Sequence, residues 1–284
     1  MGKLRDQMEM DMKLRGLSPR TISCYLGCMR NVAIHFGKSP SDLGEEEIRG
    51  YLYHLIEERK VSQAVISQSY SALKFFFEKT LQRQWDVSKI PRSKQRKKLP
   101  VVLSKQEVAS IFSSTKNLKH RAILMTIYSG GLRVGEATRL KVSDIDSERM
   151  MIRVNEGKGL KDRYTLLGDR TLEVLRLYYK AYRPLDWLFP GRNPSEPVSV
   201  SSVQRVFKAS VYRAGIKKKV SVHTLRHCFA THLLESGTDL YYIQRLLGHC
   251  SAHTTSVYLH ITGRDLSKIR SPIDLLGDDQ KPTP

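Results

Sequence analysis

The feature that most restricts how this chain can fold is a basic segment in its first half, IPRSKQRKKLP at residues 90–100. Five of the seven central residues of this run are basic, and a proline stands near each end. Like charges repel one another and proline interrupts helices, so the composition favours an extended, solvated connection. The sequence therefore predicts two domains, residues 1–90 and residues 101–284, joined by a basic linker at residues 91–100.

Residues 1–90 are predicted to be helical, because apolar residues recur there at three- and four-residue spacing. In GLSPRTISCYLGCMRNVAIHF, Ser18 is a candidate N-cap and Pro19 occupies the first helical position. The segments EEEIRGYLYHLIEERK and VISQSYSALKFFFEKTL predict further helices, the former opening on acids and closing on bases as the helix dipole favours. Cys24 and Cys28 lie one turn apart without a histidine pair, so we expect them to pack rather than to bind a metal.

Residues 101–284 predict a mainly helical domain that contains a small β-region. Ser104 and Glu107 have the spacing of a capping box, and HRAILMTIYSGGL is an apolar helix ended by Gly130 and Gly131. The segments RMMIRV and RYTLLG flank the glycine-rich turn NEGKGLKD and predict a hairpin. The remaining predicted helices are DRTLEVLRLYYKAY, VSSVQRVFKASVYRAG, HTLRHCFATHLLES and DLYYIQRLLG. The predicted fold class is therefore α+β, mainly α.

The charge of the chain predicts a polyanionic partner. Lysine and arginine number 48 against 28 acidic residues, which gives a net charge of +20, and both predicted domains are basic. Such an excess is typical of proteins that bind nucleic acid. The four cysteines form no CxxC pair, and the sequence contains neither a signal peptide nor an apolar run of about 18 residues. We therefore expect a protein of the reducing cytoplasm without a membrane segment.

Six side chains form a candidate reaction site. Phosphodiester chemistry without a metal needs guanidinium groups for the non-bridging oxygens, a proton donor for the leaving oxygen, a base and an oxygen nucleophile. His223 and Arg226 lie on one predicted helix face, and Glu136, one turn after Arg133, is expected to orient that arginine. The candidate residues are Arg133, Lys158, His223, Arg226, His249 and Tyr258.

The other histidines of this region are expected to have different roles. His232 belongs to an apolar helical stripe and is predicted to be a buried structural residue. A zinc site built from His249, Cys250, His253 and His260 is disfavoured, because the sequence shows no second cysteine nearby and no acidic residue to support it. We therefore predict no metal and no cofactor, and His253 and His260 stay unassigned.

The ordered motifs GLRVGE, GKGLKDR, HTLRHCFATH and LLGH, the last followed nine residues later by Tyr258, resemble the tyrosine recombinase (phage integrase) family over residues 100–265. The segment GLSPRTISCY is similar to the helical, SAM-like core-binding domain of that family. The resemblance implies a two-domain clamp on double-stranded DNA that acts as a homo-tetramer, with accessory proteins as further partners. It also implies a bacterial or archaeal enzyme of the cytoplasm, associated with the nucleoid.

The implied reaction is site-specific recombination, in which DNA strands are cleaved and rejoined through a 3′-phosphotyrosyl intermediate and a Holliday junction. It serves integration, excision or dimer resolution and consumes neither metal nor ATP. In the family pattern, Arg133 and Arg226 clamp the scissile phosphate, and His249 hydrogen-bonds to it.

The remaining implied roles concern the proton and the nucleophile. Tyr258 attacks the phosphorus, and His223 assists proton transfer. Lys158 protonates the leaving 5′ oxygen, although RVNEGKG is one residue longer than the commonest hairpin pattern, which leaves Lys161 as the alternative acid.

Two other functions are compatible with the same residues. One is a DNA-binding or architectural protein that keeps the fold without catalysis. The other is a type IB topoisomerase, which uses a tyrosine nucleophile and arginines but relaxes supercoils as a monomer. Covalent trapping on DNA distinguishes the first, and relaxation without a specific site distinguishes the second.

Overall fold

The structure, a computed structural model, divides the chain into two compact units, residues 1–97 and 98–284. None of the helices it describes has the length and hydrophobicity needed to cross a bilayer. The residues described are 2–86, 90, 100–155, 162–248 and 255–258.

Helices make up the described part of the first unit. Ser18 caps the second helix as predicted, since its Oγ accepts a hydrogen bond from the backbone N–H of Thr21 at 3.2 Å and Pro19 follows directly. Buried apolar side chains of every helix, among them Met12 and Leu73, form one core. The helices are α1 (Gly2–Leu14), α2 (Pro19–Phe36), α3 (Glu45–Glu57) and α4 (Gln63–Phe75), the last continued by a π-helical turn at Phe76–Thr80.

The second unit is also mainly helical. The Ser104 Oγ accepts from the Glu107 N–H at 3.1 Å, and the Ser104 N–H donates to the Glu107 carboxylate at 2.7 Å, so the predicted capping box is present. The helices are α5 (Lys105–Ser114), α6 (Leu118–Ser129), α7 (Val134–Thr138), α8 (Asp169–Tyr182), α9 (Val200–Arg213), α10 (Val222–Glu235) and α11 (Leu240–Leu247), with short 3-10 turns at Val142–Asp144 and Ser256–Tyr258.

A small antiparallel sheet of three strands, in the order β1-β2-β3, lies between α7 and α8 in sequence. Strand β2 (Met151–Val154) pairs with β3 (Arg163–Leu166), so the predicted hairpin is confirmed. Strand β1 (Ile145–Asp146) was not predicted, because two residues are too short to show alternation. The mainly helical α+β fold class is confirmed.

Helix α10 is the centre of the second unit, and ten of its 14 residues are buried. The predicted burial of His232 is confirmed. Its Nε2 donates to the Leu103 carbonyl at 3.0 Å, and its Nδ1 accepts from the Tyr128 hydroxyl at 2.8 Å. The Leu103 N–H in turn donates to the Cys228 Sγ at 3.2 Å. Both backbone polar groups of Leu103 are therefore bound to side chains one turn apart on α10.

Candidate active site

Arg226 is a buried cation at the centre of the second unit, with 1% of its surface exposed. Its Nη1 donates to the Gly131 carbonyl at 2.7 Å and its Nη2 to the Leu247 carbonyl at 2.6 Å. Gly131 follows α6 with a positive φ of 57°, and Leu247 is the last residue of α11. Arg226 thus joins the ends of two helices to α10, and these fixed partners determine where its guanidinium lies.

Glu136 is the buried counter-charge of the site, with 6% of its surface exposed. Its carboxylate accepts from Arg133 Nη1 at 2.7 Å and from the Arg133 backbone N–H at 2.7 Å. It also receives two hydrogen bonds from Arg163, at 3.0 and 2.8 Å, and lies 3.7 Å from Arg226. Burial alone would raise the pKa of Glu136, but the hydrogen bonds and charges of Arg163 and Arg133 lower it to about 2. One carboxylate therefore holds three arginines in place.

Arg163 extends this network to α11. Its Nε donates to the Leu246 carbonyl at 2.9 Å, next to the Leu247 carbonyl that Arg226 binds. The last carbonyls of a helix have no partner within the helix and carry partial negative charge, so guanidinium groups stabilise them. Gly248 ends α11 in the left-handed conformation, and a Cβ there would lie 2.8 Å from the Arg163 Cδ. The two arginines therefore fix the chain immediately before His249.

Tyr258 is buried in the same unit, with 2% of its surface exposed. Tyr258 ends a 3-10 turn at Ser256–Tyr258, within the described segment 255–258. Thr255 and Val257 are β-branched and serine favours caps and turns, which weakens the preference for an α-helix. Burial raises the pKa of the Tyr258 phenol, while the charges of Arg226 and Arg133 act in the opposite direction. The hydroxyl therefore lies within the field of both cations.

Two histidines on α10 lie beside this tyrosine. The His227 Nδ1 is 3.1 Å from the Tyr258 hydroxyl oxygen, and the His227 and His223 ring centroids are 4.7 Å apart. Burial lowers the pKa of His227 to about 4, with further lowering by its interactions with the His223 ring and the Arg226 charge. Burial of the ring, followed by the charges of Arg226 and Arg133, also lowers the pKa of His223, although much of that residue is exposed. Both imidazoles are therefore neutral at pH 7.

Four of the six residues predicted from the sequence lie in one cluster. Arg133 and Arg226 share the Glu136 carboxylate. The His227 ring contacts both the Tyr258 hydroxyl and the ring of His223. The other two, Lys158 and His249, lie outside the described residues.

Arg163 and His227 belong to the cluster but were not predicted. His227 follows His223 by four residues, a spacing that places both on one helix face and could have indicated its role. Arg163 carries no comparable signal, because its partners are 27 and 83 residues away.

The cluster can bind an anion and supply a nucleophile to it. Buried guanidinium groups with fixed partners stabilise charge on phosphate oxygens without having to rearrange. A tyrosine hydroxyl is an oxygen nucleophile that can form a covalent phosphoester. The neutral imidazoles beside it can accept a proton. The cluster therefore contains the groups that transfer of a phosphoryl group to a tyrosine requires.

Residues 86–264 match the phage integrase family, and residues 4–87 match the N-terminal SAM-like domain of phage integrases. The chain is 43% identical over 277 residues to a protein of Sinorhizobium fredii assigned as an integrase/recombinase, a match that covers 97% of this chain and 90% of the relative. It is 34% identical over 270 residues to the tyrosine recombinase XerD of Oceanobacillus iheyensis, covering 87% of this chain and 90% of that protein.

The fold is similar to that of lambda integrase, crystallised as a tetramer bound to a Holliday junction. The TM-score is 0.72 at 23% sequence identity, and the match covers 94% of this chain and 79% of the integrase chain. At 23% sequence identity, this similarity is evidence for a shared fold alone.

Proposed function

This chain belongs to the phage integrase family of tyrosine recombinases, and we propose that the cluster around Tyr258 is the centre at which it cleaves and rejoins DNA. The observation that supports this assignment best is the position of the Tyr258 hydroxyl, buried and under the influence of both Arg226 and Arg133. A phosphate bound by these arginines would lie beside the nucleophile that attacks it.

In the proposed reaction, the Tyr258 oxygen attacks the phosphorus of a phosphodiester as the bond from phosphorus to the 5′ oxygen breaks. The products are a 3′-phosphotyrosyl enzyme and a free 5′ hydroxyl. Arg133 and Arg226 offset the charge on the non-bridging oxygens. Glu136, which is itself bound by Arg163, keeps their guanidinium groups oriented. The ester conserves the bond energy, so a 5′ hydroxyl from another strand can reverse the step and complete the exchange.

Three further groups are assigned from the sequence. Lys158, or Lys161 as the alternative, donates the proton to the leaving 5′ oxygen. His249 follows the helix end that Arg163 and Arg226 fix, and it hydrogen-bonds to the phosphate. His223 assists proton transfer. Of these residues, His223 belongs to the described cluster, whereas Lys158, Lys161 and His249 lie outside the described residues.

The substrate is double-stranded DNA with a specific recombination site. Residues 1–90 bind DNA as a helical core-binding domain, residues 91–100 form a basic linker, and residues 101–284 carry the catalytic site. A net charge of +20, spread over both parts of the chain, suits a protein that encloses a duplex. Four protomers act on two duplexes through a Holliday junction, in the cytoplasm and at the nucleoid.

The test uses nicked suicide duplexes that carry candidate sites from the DNA flanking the gene. The wild-type protein should give a covalent DNA adduct on a denaturing gel. Tyr258→Phe should give none and should bind the same duplex with nearly unchanged affinity, because the arginines remain. Tyr212→Phe is the matched control, since Tyr212 is 85% exposed on α9 and should leave the adduct intact.

Three outcomes would contradict the proposal. An adduct that persists in Tyr258→Phe would assign the nucleophile to another residue. Specific DNA binding without any adduct from the wild-type protein would indicate a non-catalytic DNA-binding protein. Relaxation of a supercoiled plasmid that lacks the site would favour a topoisomerase.

A further inference from the structure

His227 is the residue of α10 that contacts the reacting atom. Its Nδ1 lies 3.1 Å from the Tyr258 hydroxyl oxygen, within hydrogen-bond reach. Tyr258 is almost fully buried and His227 is half-buried, so their contact is shielded from water. The hydroxyl must lose its proton when its oxygen bonds to phosphorus, and the imidazole is already placed to receive it.

The charged groups around this pair are poor proton acceptors. Arg133 and Arg226 are cations and can only donate. The Glu136 carboxylate is occupied by hydrogen bonds from Arg163 and Arg133, and its pKa is lowered to about 2. His223 packs against the His227 ring, with 4.7 Å between the ring centroids, whereas the Nδ1 of His227 lies 3.1 Å from the Tyr258 hydroxyl oxygen. Among the described residues around Tyr258, a neutral imidazole at His227 is therefore the acceptor best placed for its proton.

We propose that His227 is the general base that takes the proton from Tyr258 when it attacks the DNA phosphate. This assignment rests on the proposed function, in which Tyr258 is the nucleophile. As the phenol O–H bond breaks, its proton passes to Nδ1 and the oxygen forms the bond to phosphorus. The bond to the 5′ oxygen breaks, and that oxygen takes its proton from the acid assigned above. In rejoining, the His227 imidazolium returns the proton to the departing Tyr258 oxygen.

The electrostatics of the site support this exchange. Without DNA, burial, the neighbouring His223 ring and the charge of Arg226 keep His227 neutral, so its lone pair is available. The incoming phosphate is an anion, and it offsets the positive charge that opposes protonation of His227. Binding of the substrate therefore makes His227 a stronger base at the moment at which the proton must move.

The experiment compares His227→Asn and His227→Gln with the wild-type protein in single-turnover cleavage of the suicide duplex. An Asn amide can hydrogen-bond to the Tyr258 hydroxyl from near the Nδ1 position, but it cannot take up a proton. Cleavage at pH 7 should slow by roughly 10²- to 10⁴-fold, the usual contribution of a positioned base. DNA affinity should change little. The pH profile is measured on a variant whose thermal unfolding temperature equals that of the wild-type protein, so that a loss of stability does not affect the rate.

The pH profile separates a base from a residue that only positions the tyrosine. The wild-type rate should be nearly flat between about pH 6 and 9, because neutral His227 is present throughout. In the variants the phenolate must form before attack, so the rate should rise by about tenfold per pH unit over the same range. A flat profile in both His227 variants would overturn the proposal, as would a rising profile in His223→Asn with a flat one in His227→Asn.

A second substrate keeps this test distinct from the test of the proposed function. Sulfur in place of the 5′ bridging oxygen leaves without a proton, so it should restore cleavage to a variant that lacks the acid but not to His227→Asn. Recovery of His227→Asn on the sulfur substrate would overturn the assignment as base. Failure of the proposed function shows differently, as a wild-type protein that forms no adduct or a Tyr258→Phe variant that still does.

Discussion

Arg163 binds both carboxylate oxygens of Glu136, with Nη1–Oε1 and Nη2–Oε2 distances of 3.0 and 2.8 Å. This bidentate pair joins β3 to α7, and neither side chain is exposed. From sequence, Glu136 was expected to orient Arg133, which it does. Glu136 is also held by both guanidinium Nη atoms of Arg163, so the position of Arg133 depends on a residue of the sheet.

Removal of the Glu136 charge should destabilise the second unit strongly. Glu136→Gln leaves Arg163, Arg133 and Arg226 without their buried counter-charge, and we expect a loss of about 3–5 kcal/mol in the free energy of unfolding. Trp187 reports on this unit in a Trp85→Phe background, because the chain has only two tryptophans. Urea titration followed by its fluorescence gives the measurement.

The matched control for this prediction is Arg153→Met. Arg153 pairs with Asp162 at 3.1 Å, but both side chains are about half exposed. Exposed pairs contribute little, so this variant should lose less than about 1 kcal/mol. Equal losses in Glu136→Gln and Arg153→Met would show that the buried network does not stabilise the unit.

Gly131 should tolerate no side chain, because its left-handed backbone also lies against a ring. Its φ is 57°, and an added Cβ would lie 2.3 Å from the Phe229 Cδ1. Gly215 has a φ of 70° with nothing within 4 Å of an added Cβ. Gly215→Ala should therefore cost only the backbone penalty of roughly 1–2 kcal/mol.

Gly131→Ala should cost more than Gly215→Ala, since overpacking adds about 1–3 kcal/mol. It should also slow DNA cleavage, because the Gly131 carbonyl binds Arg226. Equilibrium unfolding and single-turnover cleavage of both variants check this. If the two substitutions have equal effects on stability, the contact with Phe229 is not a constraint.

Acid should destabilise the second unit through its buried histidines. The folded pKa values of His227 and His232 are lowered, mainly by burial, to about 4 for His227. Unfolding therefore takes up protons below the ordinary pKa of about 6.5. The contribution of the neutral histidines to the free energy of unfolding is fully present above that pH, and it is lost as the pH falls from there towards the folded pKa. Each histidine adds at most about 1.4 kcal/mol per pH unit in this interval.

Urea titrations between pH 8 and pH 5 measure this slope of unfolding free energy. His232→Gln and His227→Asn should each reduce it, even where they lower stability at pH 8. Tyr241→Phe is a control, because this exposed side chain lies on α11. Identical slopes in wild type and both histidine variants would mean that other groups cause the acid sensitivity.

Lys158→Ala should slow cleavage by roughly 10²- to 10⁴-fold on ordinary DNA, the usual effect of removing a positioned acid. With sulfur at the 5′ bridging position, much of the rate should return, because a thiolate leaves without a proton. Arg226→Ala should recover far less, since charge on the non-bridging oxygens still needs its guanidinium. Rescue of Lys161→Ala but not of Lys158→Ala would move the acid role to Lys161.

DNA binding should weaken steeply with salt. A protein of net charge +20 that neutralises several phosphates releases as many counterions, and its affinity falls by a power of the salt concentration. Fluorescence anisotropy of a labelled duplex at several salt concentrations gives that power. An affinity that is the same at low and moderate salt would contradict a duplex enclosed by both parts of the chain.

Local signals in the sequence predicted the helices well. Ser18, Ser104 and Gly248 mark helix ends by capping chemistry that involves only a few neighbouring residues. The predicted α10 differs from the observed helix by one residue at each end. Such features can be read from a short window because their physical causes are local.

The contacts that organise the site are not local. Arg163 meets Glu136 across 27 residues, and His227 meets Tyr258 across 31. Whether such pairs form depends on how helices and sheet pack, and no spacing rule encodes that. The family resemblance placed Arg226 and Tyr258 together but did not indicate the His227 imidazole beside the Tyr258 hydroxyl.

The attachment of Leu103 to α10 has a mechanical consequence. Its N–H and carbonyl are bound to Cys228 and His232, on the helix that also carries Arg226 and His227. A pull on the chain that precedes Leu103 therefore loads this helix directly, until two buried hydrogen bonds of about 1 kcal/mol each give way. A displacement of about 1 Å at a reacting group can cost 10²-fold in rate. If the proposed cleavage takes place at this cluster, we expect a pull transmitted to Leu103 to change its rate, because Leu103 is bound to the helix that carries Arg226 and His227.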